Sequence, residues 1–185
     1  MAGSVPAASC QRILCAAREL LAEQGAEGLT MQAVAEAAGV GKGTVFRRFG
    51  DRDGLTGALL DDYMREFQDA FLHGAPPLGP GAPATERLEA FIVEFIQRQA
   101  DHLDLALAAE VPPGQALAPT YGALILHIEV LVHEIDPSLD ARIISALILS
   151  AIAPPVLHRM RAVLEVDSAE LQAAARALLR GLTTT

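Results

Sequence analysis

The sequence predicts an all-α fold in two helical domains, and three observations predict it. Apolar residues recur at helical spacing along nearly every segment, and no segment sustains the period-two alternation of a strand. The 185 residues are 51% hydrophobic and 20% charged, which supplies a core and excludes a disordered chain. His73 to Pro83 holds four of the eleven prolines and three glycines, so it reads as a loop between helical blocks.

Each element follows from local signals. Ser9 is a candidate N-cap, followed by an apolar stripe of Ile13, Ala17, Leu20 and Leu21, with Gly25 placed to leave the helix. Thr30 can cap a short helix over 31–38 that Gly39 ends, and a third helix starts near Gly41 or Lys42 and reaches Phe49. Asp51 can cap a long fourth helix carrying Leu55, Leu59, Leu60, Tyr63, Phe67 and Phe71. Beyond the loop, 85–101 aligns Leu88, Phe91, Ile92, Phe95 and Gln99, and a shorter piece runs to the stop at 111–114. Residues 120–135 place Tyr121, Leu124, Ile125, Ile128, Val132 and Ile135 in register, and Pro137 ends them. A strongly apolar helix over 139–153 resumes after a kink at Pro154-Pro155 to about Leu164. Ser168 is the expected cap of the last helix, which carries Leu171, Ala174, Leu178 and Leu179.

The net charge of −9 argues against a general polyanion-binding surface, but the charge is uneven. Residues 1–65 hold seven basic and eight acidic side chains; residues 66–185 hold seven and fifteen. From 42 to 52 the chain sets Lys42, Arg47, Arg48 and Arg52 against Asp51 alone. This stretch closes a segment, Thr30 to Phe49, with the form of a helix-turn-helix. Val34, Ala38, Val40, Val45 and Phe49 fall where two short crossed helices pack. Ala35 is small at the crossing, and Gly39 suits the turn. The second helix then offers Lys42, Thr44, Arg47 and Arg48 outward, as a helix lying in a DNA major groove requires.

Over roughly residues 10–60 the sequence resembles the TetR-type family of bacterial transcriptional regulators. The resemblance is carried by Ile13-Leu14, Ala17-Arg18-Glu19-Leu20, Gly25, Thr30, Val34-Ala35, Ala38-Gly39-Val40, Gly43-Thr44 and Phe49. It implies an N-terminal three-helix DNA-binding domain, 1–51, joined to a helical effector-binding and dimerisation domain, 52–185. It further implies that Thr30, Lys42, Gly43, Thr44, Phe46, Arg47, Arg48 and Arg52 face DNA. Thr30 and Arg52 would hold phosphates, Lys42 and Thr44 would reach base edges or backbone, and the arginines could contact phosphate or guanine. The family often has tyrosine or histidine near Phe46, which supplies no hydroxyl and could instead meet a thymine methyl.

A helix-turn-helix monomer makes few contacts, so a homodimer on a palindromic operator is expected, its recognition helices about 34–36 Å apart or a multiple of that spacing. The expected interface uses the last two helices: Leu139, Ile143, Ala146, Leu147, Leu149 and Ala153, then Leu171, Leu178 and Leu182, with alanines at 173–175 and 177. An effector, small and largely apolar, is expected among Phe91, Phe95, His102, Leu105, Tyr121 and His127, with the fourth helix as the lever between domains.

Two other readings compete. Gly39 to Thr44 partly matches a phosphate loop of nucleotide-binding enzymes, but Glu36 stands where the first glycine belongs, and the preceding segment favours helix over the required strand. A purely structural helical module is the other. No G-x-S-x-G, H-E-x-x-H or paired-cysteine spacing is present, so neither catalysis, metal nor cofactor is expected. Cys10 and Cys15 are expected to be small, at least half-buried thiols in a reduced compartment. No apolar run reaches the ~20 residues of a membrane span, and the N-terminus lacks a signal-peptide layout, so the expectation is cytoplasmic with no membrane partner.

Overall fold

The computed structural model describes residues 4–108 and 119–182, and these contain helices joined by turns and no strand. In order they are α1 (Ser4–Gly28), α2 (Met31–Ala37), α3 (Lys42–Phe49), α4 (Arg52–His73) and α5 (Ala84–Asp101). There follow α6 (Leu103–Ala108), α7 (Pro119–Ile135), α8 (Ala141–Ala151), α9 (Pro154–Leu164) and α10 (Ser168–Leu182). Two compact units divide the chain within α4, the first reaching Tyr63 and the second starting at Met64. The sequence places the division after Asp51, where the α4 cap lies. The opening turns of α4 nonetheless stay with the first unit, because Leu55 and Leu59 are buried and Asp62 pairs with Arg18 at 2.6 Å.

In the first unit, Ile13, Leu14, Ala16, Ala17 and Leu20 of α1 are buried with Met31, Val34, Ala35 and Val45. α1 begins at Ser4, so Ser9 lies inside it rather than capping it; the alanine-rich start continues the helix outward. Gly25 does leave helical geometry, at φ 69°. Cys10 is half-buried and Cys15 is exposed rather than packed, and neither forms a disulfide.

The second unit has an aromatic centre. Phe67 and Phe71 of α4 meet Phe91 and Phe95 of α5, with ring centroids of Phe67–Phe91 4.9 Å and Phe71–Phe91 5.2 Å apart. Leu124, Ile128, Leu131 and Val132 of α7 close over them, and Leu149, Leu157, Leu171 and Leu179 complete the core. α8 starts two residues later than the expected 139, because the Asp140 carboxylate caps it by accepting the Ile143 amide at 3.2 Å. The expected proline break is real: α8 and α9 meet at 51°, with Pro154 and Pro155 opening α9, where their missing amides cost nothing. α10 is capped by Asp167 rather than Ser168. Asp167 accepts the Glu170 amide and Glu170 accepts the Asp167 amide, both at 2.9 Å, a reciprocal capping box.

Among the described residues no single helix is long and apolar enough to cross a membrane.

Candidate nucleic-acid interface

The turn between α2 and α3 is built by backbone hydrogen bonds. The Val40 amide donates to the Ala35 carbonyl at 2.9 Å and the Gly39 amide to Glu36 at 3.1 Å, the pair that ends a helix through a left-handed residue. Gly39 is that residue, at φ 63°. Val34, Ala35 and Val45 are fully buried at the crossing, whereas Ala38, Val40 and Phe49 are only half-buried, so the seam is narrower than the sequence suggests.

With Val45 turned inward, α3 presents Lys42, Gly43, Phe46, Arg47 and Arg48 to solvent, with Thr44 half-exposed. Phe46 keeps 42% of its surface exposed, and the Lys42 ammonium lies 5.7 Å from its ring centroid. Arg47 Nη2 donates to Thr44 Oγ1 at 3.3 Å, which aligns two polar side chains one turn apart. Gly41 caps α3 without a side-chain bond, so no side chain occupies the free amides of its first turn. Thr30 Oγ1 accepts the Ala33 amide at 3.1 Å while Thr30 itself remains exposed.

Arg52 differs from the other expected contacts. Its Nε donates to the Leu29 carbonyl at 3.1 Å and its Nη2 to Ala26 at 2.5 Å, tying the start of α4 to the turn that leads into Thr30. Two of its donating nitrogens are therefore engaged within the unit. Asp51 behaves as expected, its carboxylate accepting the Gly54 amide at 2.9 Å. The nucleotide-loop alternative loses its scaffold: the segment before Gly39 is helix α2, not a strand.

The six expected effector residues separate. Phe91, Phe95 and His127 come together: the His127 ring lies 4.3 Å from Phe71 and 5.2 Å from Phe91, and the residue is 8% exposed. Burial first, and the Arg87 charge second, lower its pKa to about 4. Leu105 is buried on α6, and His102 is the half-buried cap of α5. The side chain of Tyr121 lies outside the described residues. Sequence reasoning missed Phe71 as a partner of His127; it is legible as core but not as the neighbour of a histidine on α7. A groove of about 690 Å³ lies elsewhere, between α5 and α10, lined by Leu78, Glu89, Val93, Arg176 and Leu179 among others and by none of the six. No cluster of three or more metal-ligating side chains occurs among the described residues.

Of the expected interface residues, Leu149 and Leu171 are buried within the unit itself, so they are unavailable to a partner. Leu139, Ile143, Leu147 and Leu178 remain exposed, joined by Val156, Val163 and Leu164 of α9. The side chain of Leu182 lies outside the described residues.

Residues 13–59 match the family model of bacterial regulatory proteins, tetR family. The HTH-type transcriptional repressor AcnR of Corynebacterium glutamicum is 45% identical over 58 residues, which are 31% of this chain and 31% of that protein. The chain thus aligns with about a third of the length of the curated relatives it matches. The fold is similar over nearly the whole chain to a TetR/AcrR-family regulator of Thermobifida fusca, with TM-score 0.68, 19% identity and coverage of 91% and 94%. It is similar to the Bacillus subtilis regulator FadR in complex with stearoyl-CoA, with TM-score 0.65, 21% identity and coverage of 92% and 97%. Residues 13–59 are thus identified as the N-terminal helix-turn-helix domain of the tetR family of bacterial regulatory proteins.

Proposed function

We propose that the protein is a ligand-responsive transcriptional repressor that binds a palindromic operator as a homodimer. The observation that carries the reading is the outward face of α3, where Lys42, Arg47 and Arg48 surround an exposed Phe46 on a firmly packed helix-turn-helix. Arg47 and Arg48 meet phosphate or guanine, Lys42, Gly43 and Thr44 approach base edges or backbone, and Phe46 meets a thymine methyl. Thr30 holds a phosphate beside its cap, and Arg52 acts mainly by fixing the turn before Thr30. The repressors similar in the N-terminal segment support this direction of regulation. An effector enters the second unit, whose α4 is continuous with the DNA-binding unit, and lowers operator affinity by favouring a conformation the operator disfavours. The reading calls for no catalytic residue, metal or cofactor.

The test is selection of operator fragments from random duplexes, followed by binding across a salt series. Arg47→Ala or Arg48→Ala is expected to weaken operator binding. Each lost phosphate contact should flatten the slope of log affinity against log salt by about one unit. Unchanged affinity and slope in both variants would overturn the contact assignment.

A further inference from the structure

Two buried nitrogens in the second unit lack partners among the described residues: Nε of Arg87 and Nε2 of His127. Buried polar atoms left without hydrogen-bond partners are costly, so such a pair marks a place where a further group belongs. Phe91 joins them. Arg87 sits one turn before Phe91 on α5, on the same flank, and the Phe91 ring is 5.2 Å from the His127 ring. Neighbouring arginines are already satisfied: Arg98, which lies over Phe67, pairs with Glu94 at 2.9 Å, and Arg176 pairs with Glu89 at 3.5 Å. Arg87 has no ion pair among the described residues.

We propose that Arg87 and His127 together form the head-group site for a monocarboxylate effector whose apolar body packs against Phe71 and Phe91. The proposal rests on the regulator reading and supplies the ligand class that reading leaves open. One guanidinium and one neutral imidazole carry a single positive charge, which one carboxylate balances. A phosphate dianion would leave an uncompensated charge among phenylalanines, where desolvation is expensive. The two carboxylate oxygens match the two nitrogens, one accepting from the guanidinium and the other from the imidazole N–H in the tautomer protonated at Nε2. Burial beside Arg87 keeps the imidazole neutral, with its pKa near 4, so the charge count holds at neutral pH. Because Phe67 and Phe71 lie on α4, seating an apolar body here moves rings on the helix that both units share.

The experiment is calorimetric titration of the full chain with octanoate, octanamide and octyl phosphate, with operator binding measured separately. Octanoate is expected to bind at least tenfold more tightly than octanamide or octyl phosphate. Arg87→Gln should weaken octanoate at least tenfold, and Arg87→Lys, which keeps the charge, should weaken it less. Octanoate should also move the ring ¹⁵N resonances of His127 while octanamide leaves them in place, a readout that does not require a folded His127 variant. Equal binding of acid and amide, an unaffected Arg87→Gln, tighter binding of octyl phosphate, or no binding of octanoate would each overturn the site. If operator binding persists in those cases, the regulator reading stands without it; loss of operator binding by the wild-type chain strikes the reading itself.

Discussion

His127 couples the core to pH through one ring. Its pKa is about 4 in the folded chain against the ordinary 6.5. Between those values the unfolded chain binds the proton and the folded chain does not, so acid favours unfolding. Stability should fall as pH drops from about 6.5 to about 4, by up to roughly 3 kcal/mol, and this contribution should level off below that range. Urea midpoints of the wild type and of His127→Leu, measured from pH 7 to pH 4, check it: the leucine variant should lose most of this gradient. A second residue answers to sterics alone. A Cβ on Gly54 would stand 1.9 Å from the Phe49 carbonyl oxygen, which is backbone and cannot swing away. Gly54→Ala should therefore shift the end of α3 against the start of α4 and lower the thermal midpoint, whereas Gly57→Ala, with open space around it, should not.

At the scale of elements, what the sequence makes legible is what is local. Thr30 and Asp51 cap the helices expected of them because each bonds an amide three residues on, a distance the sequence itself specifies. Ser168 misleads because a stronger arrangement stands beside it: Asp167 followed three residues later by Glu170, a signal present in the sequence and overlooked. The role of Arg52 was not readable, since its acceptors, the Ala26 and Leu29 carbonyls, are set by how α1 ends against α4. The same holds for the candidate effector residues. Periodicity marks Phe91 as inward-facing and leaves His127 between packing faces, but it cannot say that the Phe71 ring meets both or that the Arg87 Nε is left without a hydrogen bond. The α2–α3 turn, by contrast, rests on one conformational requirement. Gly39→Ala must hold a Cβ at φ 63° with no steric relief to gain from its open surroundings, at a cost of about 1–2 kcal/mol. Asn at the same position should recover part of it. Thermal unfolding of the two variants orders them.

At the scale of the whole molecule, the proposed reading has a chain of net charge −9 approach DNA against its own field, so affinity would be concentrated where the sign reverses, at 42–52. One such stretch is small for selecting a genomic site, and doubling it requires a partner. The second unit buries Ser145 and Leu149 on one side of α8 and leaves Ile143 and Leu147 exposed on another, with Leu178 of α10 at 73% exposure. Large apolar side chains gathered on two helices and left open are costly for a lone protomer and well suited to cover by a second copy. Leu147→Glu combined with Leu178→Glu should leave the protomer folded, because neither side chain serves its core, while turning a dimer into a monomer in sedimentation. Binding to the full palindrome should then fall steeply and binding to an isolated half-site should barely change, since the face of α3 is untouched. Equal losses on both DNAs would show that the substitutions disturb the reading helix itself, and an unaltered sedimentation coefficient would place the subunit contact elsewhere.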